Sequence, residues 1–118
     1  MSIDVLVVDE DPDILQLAET FLERESDAIA AETTNSAAAA LDCLGEIDCL
    51  VTDLRMPEMS GFELAERVRE TGDLPVFLFT AASVDPERAE SAGVTGVVRK
   101  GAGTDHYVEL ADAIEAAV

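Results

Sequence analysis

A chain of 118 residues and 12.5 kDa has room for one domain, expected over residues 1–118, which argues against a two-domain enzyme; its 48% of hydrophobic residues is enough for a packed core. Twenty-six Asp and Glu against seven Lys and Arg give a formal net charge of −19 and a pI of about 4.1. That surface repels nucleic-acid phosphates and anionic lipid, so neither a nucleic acid nor a membrane is an expected partner.

The acids are scattered along the whole chain, as in a solvated acidic coat suited to a high-salt cytoplasm. No apolar run approaches the roughly 20 residues of a membrane span, and the start lacks the basic residues of a signal peptide, so a cytoplasmic location is expected. Cys43 and Cys49 fit neither a C-x-x-C motif nor a disulfide framework and are expected to be buried thiols.

In chain order, short apolar runs alternate with amphipathic stretches. The first strand is expected at Val5 to Val8. Asp11-Pro12 then supplies a cap and a first-turn proline for a helix burying Ile14, Leu17, Ala18, Phe21 and Leu22. A second strand at Ala28 to Ala31 leads to a helix capped by Asn35 or Ser36, with Ala37, Ala40, Leu41 and Leu44 inward, closed by Gly45. The third strand is Cys49 to Val51, with Ile47 before it. Ser60 and Glu63 form a capping box for a third helix that buries Leu64, Ala65 and Val68 and ends near Thr71-Gly72. Val76 to Phe79 is the fourth strand, followed by a short helix from Asp85-Pro86 to Gly93. Val94 to Val98 is the fifth, and Asp105 is expected to cap a last helix with Tyr107, Leu110, Ala111 and Ile114 on one stripe. This βα alternation predicts an α/β fold with a five-stranded, doubly wound parallel sheet.

In such a sheet ligands meet the carboxyl ends of the strands, so the residue after each apolar run is informative. Asp9, Glu10 and Asp11 follow the first run, Asp53 the third, Thr80 the fourth and Lys100 the fifth. Carboxylates gathered at one edge need a cation, and oxygen donors without His or Cys favour Mg²⁺, with Mn²⁺ as a substitute. A carboxylate, a hard cation, a hydroxyl and an ammonium together make a phosphoryl-transfer site.

These residues resemble the receiver domain of two-component response regulators over nearly the whole chain. The acidic pair after strand 1 is matched by Asp9-Glu10. The phosphoacceptor loop is matched by Asp53-Leu54-Arg55-Met56-Pro57-Glu58-Met59-Ser60-Gly61, the hydroxyl-Ala step by Thr80-Ala81, and the strand 5 lysine by Lys100. The resemblance implies a flavodoxin-like (βα)5 fold with strand order 2-1-3-4-5. It implies a phosphoacceptor module, not an enzyme in its own right, in which Asp53 takes a phosphoryl group from the phosphohistidine of a sensor histidine kinase or a phosphotransfer protein. Asp53, Glu10 and the backbone carbonyl of Arg55 would bind Mg²⁺, with Asp9 acting through water, while Thr80 and Lys100 contact the phosphoryl oxygens. The tail from Gly93 to Tyr107, and T-F-L-E-R-E in the first helix, resemble receivers at the N-terminus of haloarchaeal sensory histidine kinases, so PAS or kinase domains in a longer parent chain are expected.

Four features depart from the family pattern. Glu10 stands where Asp is commoner, and Gly101 where most receivers have proline, so the usual cis peptide is not expected. Val97 occupies the position of a switch aromatic, which predicts that the signal moves through the Thr80 and Lys100 loops, including Gly101 to Gly103, more than through Val97. The stretch from Thr80 to Lys100 is short, predicting a short fourth helix. Two rival functions remain: a small haloacid-dehalogenase-like phosphatase with Asp9 as nucleophile, and a pseudo-receiver that only docks partners. Arg55 is expected to point its side chain into solvent, Met56 and Met59 to pack, and His106 to be an exposed polar residue.

Overall fold

The computed structural model describes residues 2–101 and 105–118. Five parallel strands, β1 (Ile3–Val8), β2 (Ile29–Thr34), β3 (Cys49–Thr52), β4 (Val76–Thr80) and β5 (Gly96–Arg99), lie in the order β2-β1-β3-β4-β5. Five helices join and follow them: α1 (Pro12–Glu25), α2 (Ala37–Asp42), α3 (Gly61–Thr71), α4 (Pro86–Ala92) and α5 (Asp105–Ala117). This is the expected flavodoxin-like arrangement.

Two cores sandwich the sheet, as strand alternation requires. Val5, Val7, Cys49, Val51, Phe77, Phe79 and Val98 pack with α1 and α5. Leu6, Val8, Leu50 and Val76 pack with α2, α3 and α4. On α5 the expected stripe of Tyr107, Leu110, Ala111 and Ile114 is buried. On α1 the buried stripe is Leu15, Ala18 and Leu22, while Leu17 is 44% exposed and Ile14 and Phe21 are half-buried. The apolar residues of α1 are broader than one face, and the sheet takes the stripe centred on Ala18.

Local signals set most boundaries. Asp11 caps α1 through Asp13 N–H, Ser36 caps α2 through Ala39 N–H, and Ser60 with Glu63 forms both halves of the capping box on α3. Several boundaries differ from expectation, beginning with β1, which starts at Ile3 rather than Val5. The second helix stops at Asp42, and Leu44–Glu46, containing Gly45, forms a separate 3-10 turn. Strand β2 runs on through Glu32, Thr33 and Thr34, since an edge strand bonded only to β1 tolerates polar residues. Strand β5 starts at Gly96 because Val94 is used in ending α4: Gly93 adopts a left-handed φ of 83°, and Val94 N–H donates to Ala89 O. Asp105 is the first residue of α5 rather than its cap. The expected loop movement at Ala102 and Gly103 lies outside the described residues. Cys49 is buried, and burial pushes its thiol up to about 12; Cys43, expected to be buried, is only half-buried. Among the described residues no helix is long and apolar enough to cross a membrane.

Candidate functional site

Strands β1 and β3 are neighbours, with Val8 opposite Thr52, and the chain departs to opposite sides of them. Asp9 and Asp53 therefore emerge together at the point where an open parallel sheet forms its crevice. Asp53 N–H donates to Val8 O at 3.0 Å and locks the two strand ends in step. Strands β4 and β5 bring Thr80 opposite Arg99, and Lys100 N–H donates to Thr80 O at 3.0 Å, which places Lys100 beside the same crevice.

Lys100 ties the two acids together. Its Nζ lies 2.7 Å from Asp9 Oδ2 and 3.4 Å from Asp53 Oδ2, with only 15% of the side chain exposed. Asp9 is almost wholly buried and also accepts from Asp11 N–H at 3.0 Å. Asp53 is more open, and its Oδ1 accepts from Leu54 N–H at 2.7 Å. A cavity of about 370 Å³ is lined by Asp53, Arg55, Thr80, Ala81, Ala82 and Lys100. Thr80 Oγ1 accepts from Ala82 N–H at 3.2 Å, which leaves the hydroxyl proton free to donate.

The loop that begins at Asp53 is braced from below. Gly61 N–H donates to Leu54 O at 2.7 Å, and a Cβ at Gly61 would lie 2.5 Å from Asp53 O and 2.8 Å from Leu78 Cδ2. Thr52 Oγ1 donates to Asp53 O at 2.9 Å. Met56 and Met59 pack against the core and Arg55 is exposed, as expected.

The structure thus brings Asp9, Asp53, Thr80 and Lys100 together and leaves two expected site residues apart. Glu10 is exposed, and among the described residues no three acidic, histidine or cysteine side chains gather as a metal cluster. The carboxylate edge is the pair Asp9 and Asp53 bridged by Lys100, with Glu10 on the exposed side of it. Val97 lies opposite Leu78 in the sheet and is 41% exposed, outside the crevice.

The sequence reading missed the aromatic wall beside Lys100. Phe79 lies under its ammonium, with Nζ 5.5 Å from the ring centre. Tyr107 and His106 lean on Phe79 at 5.5 Å and 5.4 Å, and Phe21 stacks on Tyr107 at 5.3 Å. His106 is half-buried rather than exposed. Burial lowers its pKa, with Lys100 adding to the effect and Asp105 and Glu109 opposing it. Burial raises the pKa of Tyr107, and the Asp9 carboxylate adds to that. The available signal was a His-Tyr pair six residues beyond the site lysine.

Comparison with known proteins points to one family. The family model for the response regulator receiver domain matches residues 5–112. The heme response regulator HssR of Staphylococcus epidermidis is 38% identical over 102 residues, 83% of this chain and 45% of that protein. The transcriptional regulatory protein SrrA of Staphylococcus aureus is 33% identical over 90 residues, 76% of this chain and 37% of that one. The chain thus spans less than half the length of these curated relatives. Among solved structures, a response regulator receiver domain protein from Clostridium thermocellum superposes with a TM-score of 0.81 at 26% identity, covering 98% of this chain and 93% of that one. The chemotaxis response regulator CheY4 of Vibrio cholerae gives 0.83 at 22% identity, covering 97% and 99%, which is a likeness of fold.

Proposed function

This chain belongs to the response regulator receiver family, and on that premise we propose that Asp53 is its phosphoacceptor. Receivers are signalling modules of two-component systems, generally not enzymes in their own right, and interact with a histidine kinase or another phosphoryl donor. The observation that carries the assignment is the crevice itself: the open Asp53 carboxylate lies 3.4 Å from the Lys100 ammonium, and Thr80 lines the same cavity. Asp53 attacks phosphorus in line, the bond from phosphorus to the donor's imidazole nitrogen breaks, and an acyl phosphate forms. Lys100 and the Thr80 hydroxyl are placed to take the developing charge on the phosphoryl oxygens. The domain is taken as residues 1–118.

A divalent cation fits this donor set. Mg²⁺ is commonly held by one or two carboxylates with waters and substrate phosphate, so a three-acid cluster is not required. Asp9, Asp53 and the Arg55 carbonyl would hold Mg²⁺ or Mn²⁺, Asp9 through water as the family resemblance implies, with Glu10 able to join from the exposed edge. The ion would neutralise charge on the transferred group. Asp9 is a poor rival nucleophile, since it is nearly buried and held by both Lys100 and Asp11 N–H, which disfavours the phosphatase reading. Asp53, Thr80 and Lys100 in one crevice disfavour a pseudo-receiver.

Incubation with acetyl phosphate and Mg²⁺ should give an acid-stable, base-labile phosphate that mass spectrometry maps to Asp53. Asp53→Asn should abolish it with the fold intact, and excess chelator should suppress it. Label on Asp9, or undiminished label on the Asn variant, overturns the assignment.

The finer setting is also our reading: a cytoplasmic, haloarchaeal receiver from a longer parent chain carrying PAS or kinase domains. The −19 charge supports it, because self-repulsion is relieved as salt shortens the Debye length. The melting temperature should rise by several degrees between about 0.1 M and about 2 M KCl. An unchanged value removes that support.

A further inference from the structure

The Lys100 ammonium is fixed by Asp9, Asp53 and the Phe79 ring. Its backbone has a further tie. Gly101 N–H donates to His106 Nδ1 at 3.4 Å, which links the residue after Lys100 to α5. A proline at residue 101 would have no such proton to give. The His106 ring lies against both Phe79, at 5.4 Å, and Tyr107, at 4.3 Å. The same side chain thus touches the residue after the lysine and the ring under the lysine.

We propose that His106 is a positioning residue for Lys100, holding the lysine through Gly101 and Phe79 so that its ammonium is aimed at the phosphoacceptor edge, and that it does so only as neutral imidazole. The role rests on the reading of Asp53 as phosphoacceptor. It needs the tautomer with the proton on Nε2, because Nδ1 must accept. A proton on Nδ1 turns the acceptor into a donor facing the Gly101 N–H, and the tie is lost.

The surroundings keep the ring neutral. Burial and the Lys100 charge lower its pKa, against the opposing charges of Asp105 and Glu109 on α5. Tyr107 on the same helix and Phe79 on β4 carry no charge at neutral pH. From α1 the adjoining cavity receives Ile14, Leu17 and Phe21, all apolar. The tie is therefore present at neutral pH and disappears as pH falls through the His106 pKa, below the usual histidine range.

The test combines Asp53 labelling by acetyl phosphate with Mg²⁺ and an NMR titration of the whole chain. His106→Phe keeps a ring against Phe79 and removes the acceptor; it should label about fivefold more slowly at pH 7, the effect of one net hydrogen bond. His106→Asn returns an acceptor near the Nδ1 position and should recover most of that rate. It should also lose the acid-side decline expected of the natural chain. In the natural chain the Gly101 amide shift should follow the His106 ring titration with the same midpoint. Equal labelling of His106→Phe and the natural chain, or a Gly101 amide that ignores the ring titration, overturns the proposal. Should His106→Phe fail to fold by circular dichroism, the Asn variant and the Gly101 titration decide. Absence of label on Asp53 in the natural chain instead strikes the phosphoacceptor reading, whereas a labelled Asp53 with an indifferent His106 strikes this proposal alone.

Discussion

The two sides of the sheet hold the site by different means. On the α1 and α5 side, Phe21, Phe79 and Tyr107 stack into the core and His106 leans on them, so Lys100 stands on a packed aromatic mass. On the opposite side the site's neighbour is α4, only seven residues long. It is clipped to α3 by exposed contacts: Arg69 donates to Ser91 O at 3.0 Å, Arg88 pairs with Glu66 at 2.9 Å, and Arg88 lies over the Phe62 ring at 4.8 Å. Buried contacts must be broken together, while exposed ones open singly and cheaply. The difference predicts a stiffer site at Lys100 and an easier opening in the segment between Thr80 and α4.

The largest break in that comparison comes from Phe79→Ala. It empties a buried site under the lysine and should destabilise the chain by about 3–5 kcal/mol, measured by urea unfolding, with slower Asp53 labelling in the folded fraction. A loss below about 1 kcal/mol would mean that the aromatic side is not the stiff one. Gly61→Ala strikes the other side, where the new methyl group would press on the Asp53 carbonyl at 2.5 Å. It should cost about 1–3 kcal/mol and displace the loop after Asp53. Equal stability and labelling would show that the loop yields without consequence.

What was legible beforehand follows the range of the forces involved. The cap of α1 at Asp11, the box of Ser60 and Glu63 and the stop of α4 at Gly93 are local, and the structure keeps all three. The meeting of Asp9, Asp53, Thr80 and Lys100 was legible too, because a parallel sheet delivers the residues after its strands to one edge. Less visible was what depends on packing between distant elements. Leu15 rather than Leu17 faces the core because α5 and the sheet together choose the stripe. His106 reads as a surface residue until Phe79 and Tyr107 are seen against it. Glu10 is expected at the metal from the acidic pair it makes with Asp9, and the structure leaves it exposed; the charge partner of Asp9 is 91 residues away, and no local spacing encodes that.

The smallest effect expected is on the outer clip of α4, and it separates two contributions of one residue. Arg88 and Glu66 have side chains 42% and 43% exposed, so their ion pair is screened by water and salt and is worth about 0–1 kcal/mol. Glu66→Gln should therefore change unfolding stability by only a few tenths of a kcal/mol. Arg88→Ala removes the same pair and also the guanidinium over Phe62, an exposed contact worth about 0.5–1 kcal/mol. It should cost more than Glu66→Gln, and the excess should survive in high salt while the ion-pair part vanishes. If both variants lose the same stability and both losses disappear in salt, the Phe62 contact contributes nothing and the outer clip is charge alone. If Glu66→Gln costs as much as Gly61→Ala, the α4 side is not the loosely held one, and the contrast between the two sides of the sheet fails.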